Sequence, residues 1–297
     1  MTPLPTLRQL QFFMSLVRRQ SFSKAAEECL VSQSTLSSAI KEMETLLDQQ
    51  LVDRSTRSFA LTPVGEGVAQ RAPAILASVE DLARSAGKKE PLSGEFHLGV
   101  IPTIAPFLLP KATQRLKRKY PNLELFLRED LTASLGERLT AGLIDAAILA
   151  FPYDLPGVEM IEVGVDPFWF ACDPEHRFAS RKSLKKEALA DCNLLLLEDG
   201  HCLREHAIDA CEIADRETRD AYSATSLFTL TQMTRSGLGA TLLPEMAVRG
   251  GLARSTGLVA IPFSKPSPKR IIGVAWRKGS GRGDEARAIA DILSGLF

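Results

Sequence analysis

The sequence predicts an α/β protein in two parts: a small helical unit at the N-terminus, joined by one long helix to a larger domain of alternating strands and helices. Apolar residues recur at helical spacing from Leu7 to Leu47. From Phe96 onward the pattern changes to short apolar runs separated by helical segments. The chain has 297 residues, enough for two or three domains at roughly 100–200 residues each.

Taken in order, "LRQLQFFMSLVRR" places Leu7, Leu10, Phe13, Met14 and Val17 on one helical face. "SFSKAAEECL" reads as a short second helix capped by Ser23, with Ala25 and Ala26 small enough for close approach to a neighbour. After a tight turn, "SQSTLSSAIKEMETLLD" gives a third helix capped by Ser32, with Leu36, Ile40, Met43 and Leu47 as its stripe. Two short helices, a turn and a polar-fronted third helix make a helix-turn-helix. "LVDRSTRSFALTPVG" follows as two short strands around a basic turn, a wing whose Arg54 and Arg57 can reach phosphates.

Residues 63 to 86 predict a long helix opened by Pro63, with Val68, Ile75, Leu76, Val79 and Leu82 as a stripe for a second copy of the chain. Pro73 is expected to bend or locally break it. "GKKEPLSGE" has linker composition. Beyond it "FHLGVI", "LELFLRE" and "AAILAF" are strands separated by two helices, the β-α-β-α-β wiring of a parallel sheet. "FWFAC", "LLLLE" and "GATLLP" repeat the theme around two helices, and "RIIGVAWRK" with "GDEARAIADILSGLF" adds a last strand and helix. The expected boundaries are residues 1–62 for the winged helix-turn-helix, 63–92 for the linker helix and hinge, and 93–297 for the α/β domain. Its halves span about 93–166 with 269–297, and about 167–268. A cleft between such halves collects ligand groups at strand C-terminal ends.

Charge balances at 36 basic and 36 acidic residues, so no global field points to nucleic acid or membrane, and any DNA-binding surface must be local. Residues 1–62 themselves hold seven basic and six acidic side chains. The bland alternative is a small helical core unrelated to DNA, and that near balance of charge weakens the electrostatic argument without removing the preference for DNA binding. Met1 is followed by a polar segment, and no stretch approaches the roughly 18 apolar residues of a membrane span, so a soluble cytoplasmic protein is expected. Five cysteines, Cys29, Cys172, Cys192, Cys202 and Cys211, are an odd number in a long chain, which argues against a secreted disulfide framework.

"LLLLEDGHCLREHAIDAC" is the most informative stretch. Glu198, Asp199 and Gly200 end a strand, and Cys202 falls in the first turn of the next helix, where unpaired N–H groups favour thiolate. Arg204 adds positive charge and His201 a hydrogen-bonding imidazole. Were residues 202–211 one helix, a rise of about 1.5 Å per residue would separate the two α-carbons by roughly 13 Å. A disulfide tolerates about 7 Å, so a Cys202–Cys211 link requires that helix to unwind. Oxidation of Cys202 to sulfenic acid and attack by Cys211 would make it a reversible switch. Two other readings fit the spacing: both cysteines as small buried hydrophobes, or His201, Cys202, His206 and Cys211 as zinc ligands. The zinc reading needs distortion, because Cys211 lies off the face shared by Cys202 and His206; no metal and no cofactor are expected. Phosphate-loop, H-E-x-x-H and G-x-S-x-G motifs do not occur.

"LRQLQFF", "SFSKAAEECLVSQSTLSSAIKEMETLL" and "DRSTRSFALTPVG" resemble the winged helix-turn-helix of LysR-type transcriptional regulators. "GVIPTIAPFLLP", "LLLLEDGHCLR" with the later Cys211, "ATSLFTL" and "SGLGATLLP" resemble the regulatory half of the OxyR, peroxide-sensing branch. The resemblance covers almost the whole chain and implies a periplasmic-binding-protein-like regulatory domain of two subdomains. It implies that Cys202 is the peroxidatic and Cys211 the resolving cysteine, that Thr103, Thr132 and His201 hold hydrogen peroxide, and that Arg270 pairs with the reduced sulfur. Ser32, Gln33, Ser34, Thr35, Ser37 and Ser38 then face the major groove of double-stranded DNA, with Arg54 and Arg57 at the wing. The implied protein is no enzyme but a homo-oligomeric transcriptional activator of antioxidant genes, a tetramer built as a dimer of dimers. Its implied partners are RNA polymerase and a cytosolic thiol reductant. The recognition motif departs in reading "SQST", where proline often follows the glutamine. Two rival functions are a relative that binds a small metabolite in the cleft with incidental cysteines, and a thiol peroxidase with an accessory DNA-binding-like domain.

Overall fold

The computed structural model describes residues 4–53, 59–85, 90–212 and 223–297. The chain divides into two compact units, Met1–Lys88 with Thr140–Leu143, and Lys89–Leu139 with Ile144–Phe297.

In the first unit α1 (Leu7–Arg19), α2 (Phe22–Glu28) and α3 (Gln33–Leu47) close over Leu10, Phe13, Leu16, Leu36, Ile40 and Met43, all buried. The buried face of α1 is rotated from the expected one: Phe12 and Leu16 turn inward while Leu7 is exposed. Thr6 and Gln9 form a reciprocal capping box at its start. Ser21, not Ser23, caps α2. The helix begins at Phe22, so Ser23 already lies inside it, and its hydroxyl donates instead to Gln33 Oε1 (2.9 Å). Ser32 caps α3, accepting from Thr35 N at 3.1 Å.

Strands β1 (Val52–Asp53) and β2 (Ala60–Leu61) pair antiparallel as the base of the wing. Arg54 and Arg57 lie outside the described residues. Buried Glu44 secures β1 by accepting from Leu51 N (2.9 Å) and Val52 N (3.2 Å). Helix α4 (Pro63–Ser85) then runs unbroken through Pro73. Its Val68, Ala69 and Leu76 pack on the first unit's core, while Ile75 and Leu82 stay exposed. A Cβ on Gly65 would sit 2.0 Å from the Leu51 carbonyl oxygen, so this first-turn approach demands glycine.

The second unit is a mixed sheet. Strands β3 (Gly94–Val100), β4 (Leu123–Glu129) and β5 (Ala146–Phe151) are parallel in the order β4-β3-β5, connected by α5 (Ala105–Lys119) and α6 (Thr132–Thr140). The expected parallel sheet ends there, because β10 (Lys269–Arg277) joins β5 antiparallel. A strand the sequence hid in part, β6 (Val158–Cys172), pairs with β10 through its first half and with β8 (Ala240–Pro244) and β9 (Val259–Pro262) through its second. Two buried cores result, one around β3, β5 and α11 (Gly283–Ser294), the other around β8 and the second half of β6. β6 and β10 therefore tie the two halves together.

The second half carries a 3-10 turn (Lys186–Asp191), β7 (Leu194–Leu195), α7 (Cys202–Cys211), α8 (Leu227–Arg235), α9 (Glu245–Arg249) and α10 (Leu252–Ser255), more helices than the two expected. No described helix is long and apolar enough to cross a membrane.

Candidate functional site

Helix α7 carries the candidate sulfurs at its two ends, Cys202 as first residue and Cys211 as last. Both are free and buried, but in different cores: Cys202 packs with the β3–β5 half, and Cys211, with Leu203 and Ala207, in the other. Ten residues of continuous helix hold their α-carbons roughly 13 Å apart, too far for a disulfide. Gly200 supplies the sharp entry to α7 at φ +93°, a left-handed conformation that side chains resist.

Cys202, His201, Thr103 and Thr132 converge on one small cavity of about 10 Å³, with Ile101, Pro102, Leu131 and Gly200 completing its wall. Three elements place them: Thr103 follows β3, Thr132 opens α6, and His201 is the N-terminal flank of α7. All four are buried. The cavity has the volume of about one water. Thr132 Oγ1 is buried and makes no hydrogen bond of ordinary geometry; the group it acts on is the Cys202 sulfur across the cavity.

Arg270 lies beneath this wall, its side chain wholly buried. Its Nε and Nη2 donate to Asp166 Oδ2 at 3.1 and 2.9 Å, and its Nη1 donates to Thr103 Oγ1 at 2.8 Å. Nη2 also donates to the Thr103 carbonyl at 3.2 Å. Asp166 in turn accepts from Met246 N at 3.0 Å. Two expectations change here. Arg270 does not pair directly with the sulfur, because its charge is taken up by Asp166; it acts on Cys202 only through space. It does fix Thr103: a hydroxyl that accepts from Arg270 keeps its own proton free for the cavity. Arg204, expected to support a thiolate, turns away to Asp199 (3.0 Å) and towards the Leu197 carbonyl (3.5 Å).

Burial pushes the Cys202 thiol above its ordinary pKa, and the Thr132 hydroxyl and the Arg270 charge work against that rise. The helix N-terminus was expected to favour a thiolate; desolvation of the buried sulfur outweighs it, and the thiol form is favoured. Burial raises the Cys211 thiol as well, to about 12, with Lys186 opposing. Burial lowers His201 against the opposing pull of Glu198, so its imidazole is neutral near pH 7.

His206, one turn after Cys202, anchors α7 to the β5–β6 connection: its Nε2 donates to the Pro152 carbonyl at 2.8 Å. Its buried Nδ1 has no partner. Burial also lowers its pKa, partly offset by the Pro152 carbonyl. Among the described residues no three His, Cys, Asp or Glu side chains assemble as a metal site, so the zinc reading of His201, Cys202, His206 and Cys211 has no geometric basis.

Asp166 and the His206–Pro152 contact were missed in the sequence. Asp166 had left a signal, as a lone acid in the apolar run "VGVDPFWF" that can be buried only against a base. Pro152 acts through its backbone, which no side-chain pattern reveals.

On the first unit, Ser32, Gln33, Ser34, Thr35 and Ser38 are exposed at the start of α3 and Ser37 is half-buried. Ser32 Oγ bonds Ser34 Oγ and Thr35 Oγ1 at 2.8 and 2.7 Å, which holds the polar cluster together at the helix tip.

Residues 7–66 match the bacterial regulatory helix-turn-helix protein of the lysR family, and residues 89–297 match the LysR substrate binding domain. The chain belongs to the LysR family of DNA-binding transcriptional regulators. Within that family it is OxyR-like. A full-length OxyR variant from Pseudomonas aeruginosa superposes with a TM-score of 0.80 at 33% identity, covering 97% of this chain and 94% of that one. A probable hydrogen peroxide-inducible genes activator of Streptomyces viridosporus is 38% identical over 291 residues, 97% of this chain and 93% of the relative. The HTH-type transcriptional regulator EstR of Acinetobacter baylyi is 37% identical over 297 residues, 99% of this chain and 97% of the relative.

Proposed function

We propose that this regulator senses hydrogen peroxide through Cys202 and records it as a Cys202–Cys211 disulfide. The observation that carries the reading is the convergence of Cys202, Thr103, Thr132 and His201 on one small cavity. Similarity to a hydrogen peroxide-inducible genes activator supports it.

Peroxide enters with one oxygen facing Cys202. The sulfur attacks that oxygen, the S–O bond forms as the O–O bond breaks, and the thiol proton ends on the leaving oxygen, which departs as water. Thr103 donates to the leaving oxygen as it gains negative charge, because Arg270 occupies its acceptor side. Thr132 supplies the second hydroxyl and neutral His201 the third polar contact. The Cys211 thiol then displaces water from the sulfenic acid.

That second step cannot occur on the folded helix, so α7 unwinds, and the His206–Pro152 anchor and the packing of Cys211 in its core are lost with it. We propose that this rearrangement changes how regulatory domains pair in a homotetramer and so respaces the DNA-binding units along the operator. Contacts with RNA polymerase change accordingly, and a thiol reductant resets the disulfide. Ser32, Gln33, Ser34, Thr35, Ser37 and Ser38 form the face for the major groove, and Arg54 and Arg57 extend it to phosphates.

The test is Cys211→Ser. Peroxide should then leave a sulfenic acid on Cys202, trapped by a dimedone probe, with no intramolecular disulfide. A disulfide that persists in this variant rules Cys211 out as the resolving residue.

A second reading is a metabolite-responsive regulator with incidental cysteines, its ligand held in the cavity of about 270 Å³ that Thr103, Phe107, His201 and Phe228 help to line. It predicts operator binding that ignores peroxide and responds to an organic ligand.

A further inference from the structure

We propose that His206 is a positioning residue for the second step of the switch: its bond to the Pro152 carbonyl holds α7 in its reduced form, and so sets how fast and how far a Cys202 sulfenic acid becomes a disulfide. The peroxide step does not depend on it. The proposal rests on the Cys202–Cys211 reading and deepens it, by giving the resolving step a side chain that controls it.

Helix α7 bridges two cores, with Cys202 in the one around β3 and β5 and with Leu203, Ala207 and Cys211 in the other. His206 stands four residues after Cys202, one turn along the same face. Pro152 directly follows β5, and its neighbours Phe151 and Tyr153 belong to the core that holds Cys202. The Nε2–Pro152 bond at 2.8 Å therefore ties the middle of α7 to that core. His206 is 4% exposed and is not part of the wall of the peroxide cavity. Thr103, Thr132 and His201 keep their places without it.

A Cys202–Cys211 bond turns residues 202–211 into a closed loop, and His206 lies near its midpoint. The two α-carbons, roughly 13 Å apart in the helix, must come within about 7 Å. The chain then reverses direction near His206, which swings the ring away from Pro152. The hydrogen bond is thus made in the dithiol and broken in the disulfide, so it opposes the resolving step and favours its reversal.

The second ring nitrogen keeps this hold modest. With the proton on Nε2, Nδ1 is an acceptor, and it is buried with no donor. Release into water satisfies both nitrogens at once. One made bond set against one unmade bond keeps the reduced helix closed yet lets a single disulfide open it.

The experiment mixes the full-length protein with hydrogen peroxide in a quenched-flow device. Mass spectrometry separates dimedone-trapped sulfenic acid from disulfide, and the Cys202–Cys211 potential is measured in glutathione buffers. His206→Leu fills similar space without a donor. It should leave sulfenic acid formation within about twofold and speed disulfide formation about tenfold, the factor one buried hydrogen bond supplies. The same tenfold on the equilibrium makes the potential about 30 mV more negative. His206→Asn, whose shorter amide falls short of the carbonyl, should act alike and serves as the test if the leucine variant does not fold. His206→Gln, whose amide N–H₂ takes about the place of Nε2, should return both rate and potential towards wild type. A general loosening of the fold would instead change the peroxide step as well, and that result overturns the proposal. So does a disulfide whose rate and potential are the same in all four proteins, or a glutamine variant that behaves as leucine. Those outcomes leave the parent reading standing, whereas failure of wild type to form the disulfide strikes the parent reading and this one with it.

Discussion

Replacing Asp166 by Asn separates two effects that the buried Arg270 network combines. The Asp166 carboxylate and Arg270 guanidinium are both at most 2% exposed and meet at 2.9 Å. Removing one member of a buried pair strands the other charge, at a cost of about 3–5 kcal/mol. For a unit of this size each kcal/mol shifts Tm by about 2–4 °C, so Asp166→Asn should melt about 6–20 °C below wild type. Reactivity should move the opposite way. Without its counter-ion Arg270 exerts its full positive field on the cavity, the Cys202 pKa falls, and the thiolate fraction at a given pH rises. The assay is a pair of measurements: thermal unfolding by circular dichroism, and the pH dependence of Cys202 alkylation by iodoacetamide. A melting temperature within about 2 °C of wild type would refute the buried-pair energetics. An alkylation profile that is unmoved or shifted to higher pH would refute the claim that Asp166 neutralises Arg270 at the sulfur.

Thr132→Val removes a buried hydroxyl that makes no hydrogen bond of ordinary geometry and acts on the Cys202 sulfur alone among the groups it influences, so stability should hold within about 1 kcal/mol. Cys202 oxidation by hydrogen peroxide should slow by about a hundredfold, because a positioned polar group is lost from the reacting atoms; stopped-flow oxidation kinetics with thermal melts check both. Gly65→Ala should destabilise the first unit by about 3 kcal/mol, since its Cβ meets backbone at 2.0 Å and no side chain can yield; chemical denaturation measures it. The histidines set the acid side of the stability profile. His201 and His206 are depressed by burial, so their contribution is complete above the ordinary histidine pKa and is lost as pH falls through their folded values. His206→Gln should flatten the fall in Tm between pH 7 and 5. On the alkaline side Cys172 and Cys211 are raised to about 11 and about 12, so their contribution is present below the unfolded thiol pKa and lost as pH climbs above it; melts of the Cys211→Ala variant from pH 8 to 11 should show a shallower decline than wild type.

The helices and the parallel strands were legible because each obeys one period. "LELFLRE" and "AAILAF" coincide with β4 and β5 residue for residue. The first half of β6 was not, for a local reason. Pairing with β10 shifts register between Ile272 and Gly273, opposite Gly164 and Glu162, so Val163 is an extra residue that breaks the two-residue alternation. The cap of α2 was misassigned because Ser21 and Ser23 are equally good chemically, and only the backbone turn at Ser21 decides between them. At the site, Thr103, Thr132, His201 and Cys202 could be named from motifs, yet they span nearly a hundred residues of sequence, and only the packing of the start of α7 against the β3–β5 half gathers them. The charge state of Cys202 could not be read from a helix start and a nearby arginine. It depends on how deeply the sulfur is buried and on which acid holds Arg270, and both are tertiary facts.

The most direct test of the sensor account is the intact mass and peptide map of the reduced protein before and after a brief stoichiometric dose of hydrogen peroxide, under non-reducing conditions. The account predicts loss of two hydrogens, mapped to a Cys202–Cys211 link that a thiol reductant reverses. An unchanged mass, or oxidation scattered over Cys29, Cys172 and Cys192, would contradict it and leave the α7 cysteines as core residues.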